Sequence, residues 1–596
     1  MNKILIKKLY KAIFLYSLFS VLISCSEKKE YQALSEVEEL EQLYSNQLKV
    51  VIYELEKVQA NAASDNNKEH FWKARKAFKT IEPIVAFLDY DNYNYLNQAN
   101  ILKVDEEDAT AIKIKNPVGF QVLEELLYEE NFDNKEFETI KAKTLQRLKF
   151  IEKNKSFSFL KTHHILWMIR DGFLRISLLG ITSFDVPEDT KTLEEAVWTF
   201  EGLKQIVEIY EPNFSNKELY SNWIQKIDEV KLNLENNQFN TFDYFDFYKN
   251  DVFPLLKLWK QTVTDWKVNF SIPQAINYKA ENLFTPITFN TAYFLDRLDY
   301  KKLDNEIALG KMLFEDKNLS NESKMSCATC HQKELYFTDG FAKSPNTNRN
   351  SPTLLYAALQ KGFFHDKRTG SLEGQIIDVV ENPNEFHSSL NHLEEKVKQN
   401  SNYVSNFKEV YHQEISNDLI RKAMASYIAS LSYFNSKFDK SMQTQEEILT
   451  QDEQKGFSIF MGKAKCATCH FAPIFNGTVP VAYKESEIEL IGVPKTNDTI
   501  NAKIDSDLGR YEVFKTNERK FFFKTPTVRN VEKTGPYMHN GVFKTLEEVV
   551  DFYDRGGGHG LGIELEYQTL PTDKLNLTKK EKAQLVSFLK TLTDEL

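Results

Sequence analysis

Cys327-Ala328-Thr329-Cys330-His331 recurs unchanged as Cys466-Ala467-Thr468-Cys469-His470. Cys-x-x-Cys-His is the attachment signature of a c-type haem, because two thiols at this spacing can add to the two vinyl groups of one porphyrin and the next residue offers an imidazole to the iron. A zinc knuckle or a thiol redox pair is the alternative, but zinc needs its four ligands together and the two pairs lie about 139 residues apart. We therefore predict two covalently bound haem c groups, with His331 and His470 as the proximal ligands of the first and second iron.

The chain begins with a cationic segment and a short apolar run. The cationic segment contains Lys3, Lys7, Lys8 and Lys11. The apolar run, residues 12–23, is too short to span a membrane and is typical of a secretory signal. It ends in Leu22-Ile23-Ser24-Cys25, which resembles a bacterial lipoprotein signal. The alternative is an ordinary signal peptide in which Cys25 is incidental.

These features predict a location outside the cytoplasm. We expect a signal peptide at residues 1–24, lipid attached to Cys25, and a polar tether at residues 25–34. Several acyl chains hold a protein firmly on a membrane, so we expect a periplasmic protein that is anchored to the cell envelope by lipid alone, at the outer membrane. With four cysteines assigned to haem and Cys25 to lipid, none of the five is left for a disulfide.

Length and charge narrow the class further. At 596 residues the chain is too long for one hydrophobic core, so we expect several domains. The formal net charge is −11, and −15 without the four lysines of the leader. Such an acidic chain is a poor candidate for binding nucleic acid.

The remaining residues divide into three segments with helical patterns. Between residues 35 and 270 apolar side chains recur at helical spacing, and strand-like alternation is scarce. Prolines that signal helix ends are Pro117, Pro187, Pro212 and Pro254. Residues 284–432 and residues 433–596 contain one haem motif each. We therefore predict an all-α protein in which an N-terminal helical bundle precedes two cytochrome c-like haem domains.

An internal repeat supports two related haem domains. Gly310-Lys311-Met312-Leu313-Phe314 precedes the first haem motif, and Gly456-Phe457-Ser458-Ile459-Phe460 precedes the second. A short helix that runs into each attachment site explains both copies. Residues 577–592 have the pattern of a closing amphipathic helix that is opened by Thr578.

Further motifs point to a family. They are Phe337-Thr338-Asp339-Gly340, Arg349-Asn350-Ser351-Pro352-Thr353, Phe364-His365-Asp366-Lys367-Arg368, Asn382-Pro383-Asn384-Glu385-Phe386, Thr525-Pro526-Thr527-Val528-Arg529-Asn530 and Gly535-Pro536-Tyr537-Met538-His539-Asn540-Gly541, followed by Thr545-Leu546-Glu547-Glu548-Val549. Through them residues 285–596 resemble the bacterial dihaem cytochrome c peroxidases and their MauG-like relatives. The resemblance implies an oxidoreductase that reduces hydrogen peroxide to water with electrons from a small cytochrome c or a cupredoxin. The resemblance does not decide whether the protein forms a homodimer.

In that family the first haem is the peroxidatic one, and a Gln followed ten residues later by a Glu lies on its distal side. Gln375 and Glu385 match this spacing. A carboxylate near the iron can carry a proton between the peroxide oxygens, and an amide can orient the peroxide; the alternative is that both are solvated surface residues. Many relatives block this side with a His that precedes Arg-Asn-Ser-Pro. Residues 332–364 contain no His, which predicts an open distal side in the oxidised enzyme.

The second haem of the family collects electrons. Its peroxidases usually have a Met ligand fourteen residues after the His of Pro-x-x-His, and the count from His539 reaches Tyr553. The MauG-like branch has a Tyr ligand there. An anionic phenolate favours ferric iron, so Tyr553, opposite His470, would lower the potential of this haem. The alternative is a core tyrosine beside the haem; Met538 is a poor substitute because it adjoins His539.

His365 stands where the family has a Trp that relays electrons between the haems. Imidazole is a poorer hole carrier than indole, so the relay is expected to differ. His365 could instead reach an iron or donate a hydrogen bond to a haem propionate, and we favour the propionate.

The family also binds calcium between its haem domains. The matching positions are the Asn350 side chain and the carbonyl groups of Thr534 and Pro536. Oxygen-only ligands suit a hard cation, so calcium is expected; the alternative is turn residues without an ion.

The front half resembles the imelysin-like helical proteins, over residues 35–270. The similarity lies in Ala74-Arg75 to Phe78, in Ile81-Glu82-Pro83, and in residues 117–124. The family signature Gly-x-His-x-x-Glu has Gln121 in place of its His, and Gln is a poor ligand for a transition metal. We expect a helical bundle for docking or spacing. His163 and His164 are expected to face apart on a helix and to form no metal site.

Two rival functions stay open. A Tyr-ligated haem and an open distal side could oxidise a Trp or Tyr of a partner protein through a high-valent dihaem state. The other rival is an electron-transfer or iron-handling module without peroxide chemistry, in which the helical half does the binding.

Overall fold

The computed structural model describes residues 34–59, 65–106, 110–129, 133–186, 191–295, 297 and 303–596. The signal peptide, Cys25, the tether up to residue 33 and Pro187 lie outside these ranges, so the expectations for them stay predictions. Within the described ranges no helix is both long enough and apolar enough to cross a membrane.

The front half of the chain is helical, as predicted. Its helices are α1 Glu36–Lys57, α2 Asp65–Thr80, α3 Glu82–Leu88, α4 Tyr90–Leu96, α5 Phe120–Tyr128, α6 Asn134–Asn154, α7 Thr162–Leu178, α8 Thr192–Ile209, α9 Lys217–Glu235, α10 Tyr244–Phe247 and α11 Phe253–Asp265. A capping box at Ser35 and Glu38 opens α1, because each side chain satisfies a free backbone N–H of the other residue. One face of α1 is buried through Leu40, Leu48 and Leu55.

Two details of this half differ from the sequence prediction. Strands β1 Lys103–Asp105 and β2 Lys113–Lys115 form an antiparallel pair that the helical pattern did not reveal. Pro254 does not end a helix: the chain stays helical from α10 through a π-helical turn, Tyr248–Val252, into α11. A proline lacks a backbone N–H, and a π turn just before it lets the helical path continue without the missing hydrogen bond.

The rear half is also helical, with long connecting loops. Its helices are α12 Thr291–Phe294, α13 Leu303–Glu315, α14 Cys327–Cys330, α15 Leu372–Glu381, α16 Leu390–Gln399, α17 Ser401–Tyr411, α18 Asn417–Ala429, α19 Lys437–Gln443, α20 Gln451–Met461, α21 Tyr511–Phe514, α22 Leu546–Asp554, α23 Gly557–Gly560 and α24 Lys579–Thr591. Strands β3 Ile488–Glu489 and β4 Phe523–Lys524 pair antiparallel. The predicted closing helix is confirmed as α24, with Thr578 and Glu581 forming its capping box.

The glycines of the internal repeat have the same packing role. A Cβ atom on Gly310 of α13 would lie 2.0 Å from the carbonyl oxygen of Ala423 in α18. On Gly456 of α20 it would lie 2.0 Å from the carbonyl oxygen of Gln584 in α24. In each unit the helix that runs into the haem motif therefore crosses a later helix at backbone contact, which only glycine permits.

The helical front half shares its hydrophobic core with the haem half. One continuous cluster of buried side chains extends from Leu40 to Leu592. The ring of Tyr248, in the π turn, lies 5.9 Å from that of Phe457 in α20. Phe245 meets Phe438 at 6.4 Å between ring centroids. The front half is thus packed against the second haem unit along its inner face.

Candidate haem sites

The first Cys-x-x-Cys-His motif forms a single helical turn, α14. His331 follows that turn, and its Nδ1 lies 3.0 Å from the carbonyl oxygen of Phe337. A carbonyl only accepts hydrogen bonds, so Nδ1 carries the proton and Nε2 is left as a neutral donor for a metal. Burial lowers the pKa of His331, which favours the same neutral form. Tyr336 and Phe337 both have positive φ, 54° and 57°, a strained backbone that aims this carbonyl at the ring.

The second motif is anchored in the same way. Cys466–Thr468 form a 3₁₀ turn, and His470 donates through Nδ1 to the carbonyl oxygen of Pro526 at 3.0 Å. Burial lowers the pKa of His470 to about 4, so the ring is neutral at physiological pH. Both predicted proximal histidines therefore have Nε2 available for iron. The orientation of these two imidazole rings fits haem at both motifs.

A cavity of about 1210 Å³ adjoins the second motif. Residues of both halves line it. From the haem half they include Cys466, Cys469, His470, Lys524, Met538, His539 and Tyr553, and from the front half Glu82, Tyr90, Tyr93, Asn97, Gln121 and Arg175. The second site thus has room for a large planar group, and the front half forms one of its walls.

Tyr553 lies on α22 and faces this cavity, as its predicted role requires. Burial raises its pKa, and the nearby Cys469 and Cys466 raise it further. The phenol is therefore protonated in the absence of a cation, and it lies near both thiols of the second motif. Its role as an iron ligand stays a prediction. Met538 lines the same cavity. His539 is already engaged, since its Nε2 donates to Asp505 at 3.3 Å and its ring stacks on Phe523 at 3.9 Å.

Glu385 lies near the first motif, in the loop after α15. Its negative charge contributes to the raised pKa of both motif thiols, Cys327 and Cys330. Burial raises the pKa of Glu385, while Arg368 and a 2.9 Å hydrogen bond from Asn382 oppose that rise. Gln375 lies within α15 and is half-buried. The assignment of these two residues to peroxide chemistry stays a prediction.

His365 is held by the backbone. Its Nε2 donates to the carbonyl oxygen of Asn350 at 3.2 Å, and its own carbonyl accepts from the backbone N–H of Lys524 at 2.7 Å. Burial lowers the pKa of His365 to about 3, with Arg349 adding to the effect. A neutral His365 with Nε2 occupied has Nδ1 left as an acceptor, so in this arrangement the ring has no N–H to donate to a haem propionate, contrary to the role favoured for it from the sequence. His365 also lines the cavity of the second motif.

The predicted calcium position contains an unsatisfied oxygen. Oδ1 of Asn350 is buried and accepts no hydrogen bond within the described part of the chain. Nδ2 of the same amide donates to the carbonyl oxygens of Met538 at 2.7 Å and Pro536 at 3.2 Å. The orphaned oxygen fits a hard cation. Calcium with Thr534 and Pro536 as further ligands stays a prediction.

Sequence reasoning missed a buried charge cluster in the front half. The ammonium group of Lys79 lies 2.6 Å from Asp185, 3.0 Å from Glu82 and 3.3 Å from Glu195. Arg175 also binds Asp185, at 2.7 Å. The available signal was the position of Arg75 and Lys79 on the apolar face of α2, followed by Glu82 at the start of α3. Of this cluster, Glu82 and Arg175 also line the cavity of the second motif.

Gln121, at the position of the family His, is buried and donates to the carbonyl oxygen of Asn97 at 3.0 Å. The expectation that His163 and His164 face apart is wrong. Their ring centroids are 4.0 Å apart, because Nδ1 of His164 turns back to accept from the backbone N–H of Lys161 at the start of α7. Within the described ranges no group of three or more His, Cys, Asp or Glu has the geometry of a metal site.

Comparison with known proteins decides the family. Residues 304–447 match the family model of di-haem cytochrome c peroxidase. The cytochrome-c peroxidase IdrP2 of Pseudomonas sp. (strain SCT) is 31% identical over 316 residues, which cover 48% of this chain and 81% of that protein. The chain belongs to the dihaem cytochrome c peroxidase and MauG family. It is therefore an oxidoreductase of the cytochrome-c peroxidase type, and the family implies covalently bound haem c.

Both branches of the family are represented among the relatives. Cytochrome c551 peroxidase of Nitrosomonas europaea is 32% identical over 293 residues, covering 48% of this chain and 79% of that protein. Methylamine utilization protein MauG of Methylorubrum extorquens is 28% identical over 343 residues, covering 56% and 86%. A solved MauG-like protein associated with microbial copper homeostasis matches with a TM-score of 0.44 and 26% identity, over 55% of this chain and 95% of that one.

Proposed function

We propose that this protein reduces hydrogen peroxide to water at the first haem, with electrons that a small cytochrome or a cupredoxin delivers through the second. The observation that carries the proposal is the position of Glu385. This half-buried carboxylate lies close enough to both thiols of the first motif to raise their pKa. The relatives named cytochrome-c peroxidase support peroxide as the substrate. When bound, haem would supply the redox-active iron at which peroxide is reduced, and the small cytochrome or cupredoxin would supply the two electrons.

The protein's own side chains handle orientation and protons. Conversion of one hydrogen peroxide to two waters consumes two electrons and two protons. Glu385 takes the proton from one peroxide oxygen and returns it to the other, and Gln375 orients the peroxide by a hydrogen bond. Burial raises the pKa of Glu385, which makes the carboxylate a stronger base for the peroxide proton.

Replacing Glu385 by Gln tests this role. The amide keeps the size of the side chain but cannot carry a proton, so we expect peroxide turnover to fall by roughly 10²–10⁴-fold, with both haems still attached. Glu381→Gln is the matched control, since Glu381 ends α15, the helix that precedes Glu385, and is exposed. Steady-state peroxide consumption and haem content measure the outcome. Undiminished turnover in Glu385→Gln would remove the proton carrier from the proposal.

The position of Tyr553 favours a second candidate function. Tyr553 and His470 line the same cavity and would hold the second haem between them, and a phenolate ligand would stabilise ferric iron, as expected of an enzyme that oxidises Trp or Tyr residues of a partner protein. The MauG relatives support this reading. Peroxide added to the oxidised protein separates the two candidates. A long-lived altered spectrum favours oxidation of a partner protein, whereas rapid return with a reduced cytochrome present favours the peroxidase.

We propose that the mature protein faces the periplasm and is held on the envelope by lipid at Cys25. The leader sequence and the use of haem c support this location. Cys25→Ala should release the protein from the membrane fraction while both haems stay attached. Retention of the variant on membranes would contradict the anchor.

A further inference from the structure

Lys524 lines the cavity of the second motif and forms no ion pair with any residue that the structure describes. It lies in β4, where it pairs with Ile488 of β3, and its side chain lines the cavity beside His470. Its ammonium group donates to the side-chain oxygen of Gln360 at 2.8 Å. Within the described part of the chain Lys524 forms no ion pair, although Glu487 and Glu489 line the same cavity, and Lys367 adds a like charge.

Two nearby arginines are paired, whereas Arg519, which lines the same cavity as Lys524, has an Nε without a hydrogen-bond partner in the described part of the chain. Arg349 forms ion pairs with Asp507 at 2.6 Å and Asp366 at 2.7 Å. Arg510 forms one with Glu106 at 2.8 Å. An ammonium withdrawn from water without a counter-charge is unfavourable, and burial together with Lys367 lowers the pKa of Lys524 to about 8. The site therefore favours an anion in the cavity.

The backbone around Lys524 ties it to the second haem position. Its N–H donates to the carbonyl oxygen of His365, and two residues later the carbonyl of Pro526 accepts from Nδ1 of His470. One short segment thus carries the free cation and orients the proximal histidine. The charge of Lys524 also contributes to the lowered pKa of both His365 and His470.

We infer that Lys524 is a carboxylate-binding residue that holds a propionate of the haem attached at Cys466 and Cys469. The inference rests on the second haem being attached there. A free carboxylate anion offers the same chemistry, and the experiment separates the two sources. A cation close to the second haem stabilises its reduced state, since reduction removes a positive charge from the iron.

Lys524→Met removes the charge while keeping most of the side-chain length. We expect a negative shift in the reduction potential of the second haem, measured by spectroelectrochemistry on the full-length protein. Lys524→Arg should restore a potential close to wild type. Lys515→Met is the control, because Lys515 is exposed in the same unit and pairs with Glu512. If Lys524→Met does not retain the second haem, Lys524→Gln serves for the same comparison.

Three results distinguish the explanations. Unchanged potentials in Lys524→Met, with two haems counted by mass spectrometry, would overturn the inference and leave the proposed function intact. A wild-type potential that shifts on addition of acetate would show that the site is open to free carboxylates, and this too would overturn it. A protein lacking the second haem in wild type would refute the proposed function itself.

Discussion

At the scale of single residues, Glu385 is controlled by neighbours that change its pKa in opposite directions. Burial raises the pKa, and Asp378 adds to this; Arg368 and the Asn382 amide lower it. Asn382→Ala removes the 2.9 Å hydrogen bond to the carboxylate, so the pKa of Glu385 should rise. Proton acceptance requires the ionised form, which is lost as the pH falls through this pKa. The acid limb of kcat/KM for peroxide should therefore move to higher pH.

The control for this prediction is Asn384→Ala, two residues away and exposed. The acid limb of kcat/KM in Asn384→Ala should coincide with that of wild type. An unchanged acid limb in Asn382→Ala would show that the Asn382 hydrogen bond does not set the pKa of Glu385. The motif around Glu385 predicted that the carboxylate is catalytic. It could not predict which side chains set its pKa, because Arg368 reaches it from a loop before α15 and only folding brings the two together.

At the scale of elements, the crossings of α13 with α18 and of α20 with α24 depend on glycine. Gly310→Ala or Gly456→Ala would place a methyl group 2.0 Å from a carbonyl oxygen, so the helices must separate. We expect each variant to lose roughly 1–3 kcal/mol of stability and to unfold at a lower temperature. Gly370→Ala is the matched control, since no atom lies within 4 Å of the added Cβ. Thermal unfolding of the haem-loaded protein, followed by circular dichroism, measures the difference.

The sequence repeat around these glycines predicted a helix before each haem motif, and the structure confirms both helices. The packing partners could not be predicted, because Ala423 and Gln584 lie more than a hundred residues further along the chain. The β1–β2 pair was missed for a related reason. Three-residue strands are too short for alternation to differ from a loop, and only their pairing defines them. The π turn before Pro254 was missed because proline in a sequence normally marks an end.

At the scale of the whole molecule, the front half and the second haem unit form one packed body around a shared cavity. The resemblance predicted a helical front half but gave no indication that residues of this half would line the second haem site. That arrangement depends on contacts such as Tyr248 with Phe457, between residues that lie far apart in sequence. Since the interface is part of the continuous core, we expect the two parts to unfold together.

Tyr248→Ala tests this coupling. Tyr248 is fully buried, and its hydroxyl donates to the carbonyl oxygen of Ser177 at 2.7 Å. Truncation should cost about 3–5 kcal/mol and should lower the unfolding temperature recorded by the haem Soret band as well as that recorded by far-ultraviolet circular dichroism. Tyr53→Ala, at a side chain that is 58% exposed in the same half, should leave both unchanged. A lower transition in circular dichroism with an unmoved Soret transition would mean that the front half unfolds independently of the second haem, and that its contribution to the cavity wall is not needed to hold the haem in place.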